Sequence, residues 1–125
     1  MSGGPRDAFA ATLGVAVTSH GGGRAEARVV VTGDHLNPHG TAHGSFLFSL
    51  AGIALAAAAN DAEHSGVVSA VQIDYVRPAR AGDTLVATAE VAERLAKEDL
   101  FVVRVTDGDE LVARATGRAN RRARG

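Results

Sequence analysis

One stretch constrains the chain more than any other: residues 35–60, HLNPHGTAHGSFLFSLAGIALAAAAN, where a polar segment runs directly into an almost unbroken apolar one. Between Phe46 and Ala59 there is no charge and no proline, and Ala and Leu dominate, a composition that favours helix over strand. The run is apolar on every side, which predicts a helix buried all round. Its 14 residues fall short of the roughly 20 that cross a bilayer, so it belongs in a core, with a sheet wrapped over it. The polar half places His35, Asn37, His39, Thr41 and His43 within nine residues, bent by Pro38, Gly40 and Gly44. This is a loop crowded with hydrogen-bonding side chains. Where the helix opens, at Gly44 and Ser45, unpaired backbone N–H groups and the positive end of the helix dipole point into that loop. Such an end can hold an anion or a developing oxyanion.

The flanking sequence supplies the wrapping. Residues 6–13 predict a short helix with Phe9 and Leu13 on one side. Residues 15–19 and 25–32 read as Val-rich strands joined by His20-Gly21-Gly22-Gly23, a loose hairpin turn. After the long helix, residues 60–66 form a polar loop in which Gly66 suits a position past the helix C-terminus. Residues 67–77, VVSAVQIDYVR, make a long strand stopped by Pro78, expected near the middle of the sheet. Strands at 84–96, 100–106 and 111–118 follow, turning at Lys97-Glu98-Asp99 and Asp107-Gly108-Asp109. Two strands, a buried helix and four hairpin-joined strands define an α+β plan, a curled antiparallel sheet of about six strands around one helix.

At 125 residues the chain suits one domain spanning 1–125, with flexible ends expected at 1–5 and 120–125. A net charge of −1 and 46% hydrophobic content give no pull toward nucleic acid or membrane and argue against disorder. The absence of Cys excludes disulfides, thiol nucleophiles and Cys-ligated metal. Met1 is followed by SGGPRDAF, which has no apolar signal core, so a cytoplasmic location is expected. His35, His39 and His43 fit no zinc spacing and lack a second shell, so no metal is expected. His35 and His39 are read as exposed or as braces of the loop.

Two sets of residues carry a family resemblance. His43-Gly44 opening an Ala-rich helix, preceded by Leu36-Asn37 and Gly40-Thr41, resembles the PaaI-type branch of the hotdog-fold thioesterases. Ile73-Asp74-Tyr75-Val76-Arg77-Pro78, followed by Ala81-Gly82-Asp83-Thr84-Leu85, is similar to that family's strand and turn after the helix. The likeness spans residues 35–90, with a weaker part at Ala115 to Arg121. It implies a hotdog fold, a homodimer or homotetramer with the site between subunits, and an acyl thioester of coenzyme A or a carrier protein as substrate. Coenzyme A enters only as part of that substrate; no separate cofactor is implied. One departure stands out. Where the family carries Asp or Glu two turns into the helix, as general base or nucleophile, this chain reads Leu50-Ala51-Gly52.

The expected catalytic set is therefore Gly44, Asn37, His43 and Gly52, the last marking the missing acid. Gly44 offers a backbone N–H to a thioester carbonyl, and its plainer reading is a tight turn. His43 either shapes the helix start or acts as a general base, for which an ordinary pKa of about 6.5 is suited. Asn37 either aligns water and substrate or serves loop chemistry with Pro38. Helical spacing puts Ser45, Ser49, Gly52 and Ala56 on one small, partly polar stripe, suited to close packing or to a pocket opened where the acid is missing. Asp34, Asp61, Glu63 and Asp74 are the nearby carboxylates in sequence. Substrate contacts are expected from His39, Thr41, Ser45, Ser49, Ile73, Asp74, Arg77, Pro78 and Arg118, with Arg77 and Arg118 the better candidates for coenzyme A phosphates. Three functions fit: a thioester hydrolase, a protein that binds an acyl thioester without cleaving it, and a lyase or dehydratase on the same scaffold.

Overall fold

The long apolar run forms a helix over Gly44–Ala58, here α2, and everything else in the chain is arranged around it. The computed structural model describes residues 7–123; the flexible start expected at 1–5 lies outside them, as do residues 124–125. In chain order the other elements are helix α1 (Ala8–Leu13) and strands β1 (Ala16–Gly21), β2 (Arg24–Val30), β3 (His64–Tyr75), β4 (Thr84–Arg94), β5 (Glu98–Asp107) and β6 (Glu110–Ala123). A short 3-10 turn, Gly33–His35, leads into the polar loop. The six strands make one antiparallel sheet in the order β1-β2-β4-β5-β6-β3. This is the α+β plan predicted above.

Alternation sets which side of each strand meets α2. Ala25, Ala27 and Val29 on β2, Leu85, Ala87 and Ala89 on β4, Phe101, Val103 and Val105 on β5, and Ala113, Ala115 and Ala119 on β6 are all buried, while the residues between them are largely exposed. Many of these inward side chains are Ala, so the helix can sit close to the sheet. A particularly close approach is at Gly117, where a Cβ would lie 2.2 Å from Leu55 Cδ1 and 2.9 Å from the Ala70 carbonyl oxygen. Bulges at Val68/Ala70, Val91/Glu93 and Val105/Thr106 interrupt the ladders, and such irregularities bend and twist a sheet. They help curl it over the helix.

The structure corrects several expectations. Residues 67–77 predict a central strand in hairpin sequence with the next; β3 is instead an edge strand, paired among the described residues to β6 alone. The chain leaves Tyr75 through the Arg77-Pro78 turn and crosses to β4, tied on the way by Ala42 N–H to the Ala79 carbonyl and Gly82 N–H to the Val31 carbonyl. An edge leaves apolar groups uncovered, and Val67 is 68% exposed. β3 also begins at His64, so Gly66 lies within the strand. There it permits close contact with the end of α2, since a Cβ would stand 2.9 Å from the Ala59 carbonyl oxygen. β6 pairs with β3 through Ala123, beyond the point where the sequence suggests a trailing tail.

Burial of α2 all round is also corrected. Phe46, Leu47, Leu50, Ala51, Ile53, Ala54, Leu55 and Ala58 are buried, whereas Ser45 and Phe48 are exposed and Ser49, Gly52 and Ala56 half-buried. A single sheet covers one side of a helix, and the stripe of small residues lies on the other.

Candidate functional site

The polar loop is built by its own side chains. Asn37 Oδ1 accepts from the backbone N–H groups of His39 (2.9 Å) and Thr41 (3.1 Å), and Asn37 Nδ2 donates to Thr41 Oγ1 at 2.8 Å. The Asn37 N–H donates to the Thr41 carbonyl, and Leu36 and Ala42 form an isolated bridge. Asn37 and Thr41 thereby close residues 37–41 into a tight loop, while His39 stands exposed at its tip.

His35 is a buried brace. Its Nδ1 accepts from the Thr32 N–H at 3.0 Å, which leaves the ring proton on Nε2 to be donated to the Leu13 carbonyl at 2.8 Å. Its ring stacks on Phe46 with centroids 3.9 Å apart. One side chain therefore ties the end of α1, the 3-10 turn and the first turn of α2 together.

His43 caps α2. Its Nδ1 accepts from the Ser45 N–H at 3.0 Å, and its carbonyl accepts from Phe46 and Leu47. A neutral ring then carries its proton on Nε2, and the residue is exposed. No described residue accepts from the Gly44 N–H, the one donor of the first turn left over. The Gly44 carbonyl accepts from Tyr75 Oη at 2.8 Å, and a Cβ on Gly44 would stand 3.1 Å from that same oxygen. Gly44 is thus the residue that lets the β3 tyrosine lie against the helix start. Tyr75 carries no role in the sequence reading, although its spacing from Ile73 places both on one face of β3.

The open side of α2 carries two recesses. One, of about 480 Å³, runs between α1, α2 and the β3 edge, lined by Asp7, Phe9, Phe48, Ser49, Gly52, Ala56 and Val68 to Val71 among others. It is predominantly apolar. The second lies at the helix start, where Asp34, His43, Ser45 and Ser49 meet Phe9 and Leu13. Ser49 Oγ is committed to the Ser45 carbonyl at 2.9 Å, and no heavy atom lies within 4 Å of a Cβ built on Gly52, beyond its own chain neighbours and helix backbone. The stripe read from the sequence therefore borders open space.

Other expected contacts lie elsewhere. Ile73 is half-buried and packs on the core. Asp74, between the inward-facing Ile73 and Tyr75, is on the outer face of the sheet, 3.7 Å from Arg114 Nε. Arg118, flanked by buried Gly117 and Ala119, is also on the outer face, 4.0 Å from Glu98. Arg77 pairs with Glu110, and Pro78 is exposed. The structure thus brings His43, Ser45 and Ser49 to one recess and Ser49 and Gly52 to the other, sets Gly44 against Tyr75, and leaves Asp74 and Arg118 on the far side of the sheet. Asp7 and Phe9 enter from α1, unforeseen in the sequence. The Asp7 and Gly14 caps that bound AFAATL were the available signal.

A helix seated in a curled six-stranded antiparallel sheet defines a hotdog domain. Comparison with known proteins agrees. The profile of the thioesterase superfamily matches residues 39–113. The acyl-coenzyme A thioesterase PaaI of Escherichia coli is 38% identical over 116 residues, covering 92% of this chain and 83% of that protein. Its structure, from the phenylacetic acid degradation operon, superposes with a TM-score of 0.88 over 93% of this chain and 85% of that one. A variant of the phenylacetic acid degradation protein PaaI from Thermus thermophilus superposes at 0.87, with 36% identity over 91% and 98% of the two chains. A thioesterase protein of Streptococcus pneumoniae, solved with coenzyme A, shares the fold at 0.82 and 21% identity over 88% and 90%. The chain belongs to the thioesterase superfamily, as a PaaI-like hotdog protein.

Proposed function

We propose that the protein hydrolyses acyl thioesters of coenzyme A or of a carrier protein, working in the cytoplasm as a homodimer or homotetramer. The observation that carries this reading is the Gly44 N–H at the start of α2, to which no described residue offers an acceptor, on the helix whose Ser49, Gly52 and Ala56 line an apolar recess. A thioester carbonyl accepting from that N–H gains a donor and the positive end of a 15-residue helix at the oxygen where charge develops on attack. The acyl chain would lie against Phe48, Gly52 and Ala56. Support for assembly comes from β3, a twelve-residue edge strand with unpaired backbone groups and an exposed valine, next to the uncovered side of α2. Both features invite a second copy. The PaaI relatives and the coenzyme A found with the Streptococcus pneumoniae protein favour this ligand class.

A second reading, binding without cleavage, is favoured by one specific observation: Gly52 leaves open space where the family's acid would stand. The experiment that separates them is thiol release from aryl, short-chain and medium-chain acyl-coenzyme A esters, with Gly52→Asp assayed beside the unaltered protein. Because the Cβ meets nothing and an Asp in a helix is no worse than Gly, Gly52→Asp should fold normally. Turnover by the unaltered protein supports hydrolysis. Silence from it, with turnover by Gly52→Asp, assigns it to the binding reading. Product without free thiol from the unaltered protein refutes both in favour of a lyase-type reaction.

A further inference from the structure

Resting on the hydrolase reading, we propose that Asp7 is the catalytic base that takes the place of the acid missing at position 52. The carboxylates nearest in sequence are badly placed for that task. Asp74 is on the outer face of the sheet beside Arg114. Asp61 sits past the end of α2, where its Oδ1 accepts from the N–H groups of Glu63 and His64 and from the His64 ring. Asp34 borders the recess at the helix start, not the one containing Gly52.

Asp7 alone among the described carboxylates lines the same recess as Gly52, Ser49 and Ala56. It comes from a different element, α1, which is fixed to the site by the His35 hydrogen bond to the Leu13 carbonyl. Asp7 Oδ1 is anchored by the Ala10 N–H at 2.9 Å. No described cation forms an ion pair with Asp7, and the residue is exposed. One oxygen is thus held by the helix start, and no described hydrogen bond or ion pair occupies the other, which leaves it available to take a proton from a water in the recess. In the reaction Asp7 removes a proton from water as the water oxygen bonds to the thioester carbonyl carbon. The carbonyl electron pair moves onto oxygen, then returns to re-form C=O as the C–S bond breaks. The departing thiolate takes the proton back from Asp7. Acyl thioester and water become carboxylic acid and thiol, with Asp7 unchanged.

The test uses the full chain and the acyl-coenzyme A ester it turns over fastest. Asn caps a helix as well as Asp does, so Asp7→Asn keeps the Ala10 anchor and the melting temperature while removing the base. Its kcat should fall about 100-fold, the lower range for loss of a general base, with KM within about threefold. In Asp7→Ala, added formate should restore turnover in a concentration-dependent way, which a merely structural deficit would not allow. A kcat within about threefold of the unaltered protein in Asp7→Asn overturns the assignment, as does an Asp7→Ala deficit that formate leaves unchanged. If the unaltered protein itself releases no thiol from any ester, the hydrolase reading fails and the role of Asp7 fails with it. Turnover by the unaltered protein and by Asp7→Asn alike removes only the role of Asp7.

Discussion

Gly117→Ala should unfold the domain far more easily than a single added methyl suggests. The new Cβ would lie 2.2 Å from Leu55 Cδ1, 3.5 Å from Leu55 Cγ and 2.9 Å from the Ala70 carbonyl oxygen. Leu55 is fully buried, so it cannot swing to solvent and must take a strained rotamer, at about 0.5–1.5 kcal/mol. The Ala70 carbonyl belongs to the β3 backbone and moves only with the strand. Overpacking of this kind costs about 1–3 kcal/mol, and with both obstacles rigid the upper end applies, about 3 kcal/mol. For a chain of this size each kcal/mol lowers the melting temperature by about 4 °C, so Gly117→Ala should melt about 12 °C earlier in a thermal scan and show a matching loss in urea. The second arm is the cycle with Leu55→Ala. That change alone should cost about 3 kcal/mol through the cavity it leaves. In the double variant the methyl of residue 117 occupies part of that cavity, so the pair should be no less stable than Leu55→Ala alone. A Gly117→Ala melting temperature within about 2 °C of the unaltered protein, or costs that simply add in the double variant, would refute the contact as described.

Other outcomes follow from charge placement. Asp99, with its side chain 5% exposed, is shared by Arg94 at 2.6 Å and by Arg121, which also donates to the Leu95 and Ala96 carbonyls. Asp99→Ala strands two cations at the β4–β5 turn and should cost about 3 kcal/mol in urea denaturation, the low end for a broken buried pair because both arginines retain some solvent; a loss below about 1 kcal/mol would contradict this. For Asp61, burial works to raise the carboxyl pKa, but the Glu63 and His64 N–H groups and the His64 ring outweigh it and hold the pKa below its ordinary value. A depressed folded pKa contributes stability that is complete above the unfolded value of about 3.9 and is lost as pH falls through the folded one. Urea midpoints measured from about pH 5 downward should therefore fall more steeply for the unaltered protein than for Asp61→Asn, and parallel curves would count against it.

Periodicity made the plan readable. The long uncharged Ala-Leu run announced α2, and the strands read at 84–96 and 100–106 correspond to β4 and β5, whose inward faces carry Leu85, Ala87, Phe101 and Val103. Alternation reports which side a residue takes but not which strand lies beside it. For that reason residues 67–77 looked central, although β3 finds its partner in β6, about fifty positions away along the chain at Ser69 and Arg118. The apolar composition of α2 likewise could not distinguish contact with the sheet from a side left open. At the site, the capping role of His43 and the loop chemistry of Asn37 were both among the readings the local sequence allowed. The face taken by Arg118 depends on neighbours Gly117 and Ala119 being pressed against α2, which only the folded sheet determines. Asp7 escaped notice because it shares a recess with Gly52 only in the folded chain, where the β1–β2 hairpin and the polar loop separate the two along the sequence.

The pairing of β3 with β6 also governs the order in which the molecule can be made. Residues 64–75 leave the ribosome well before 110–123, and until the last strand exists β3 has no ladder to join. Its apolar groups must wait, alongside an α2 whose lower face still lacks Ala115, Gly117 and Ala119. Contacts of such separation form slowly and leave unpaired strands available to other chains. The groove between α2 and β3 is consequently the last part of the domain to close, and loss of the final strand would leave its wall, Val68 to Val71, without a pairing partner before disturbing the β1-β2-β4-β5 half of the sheet.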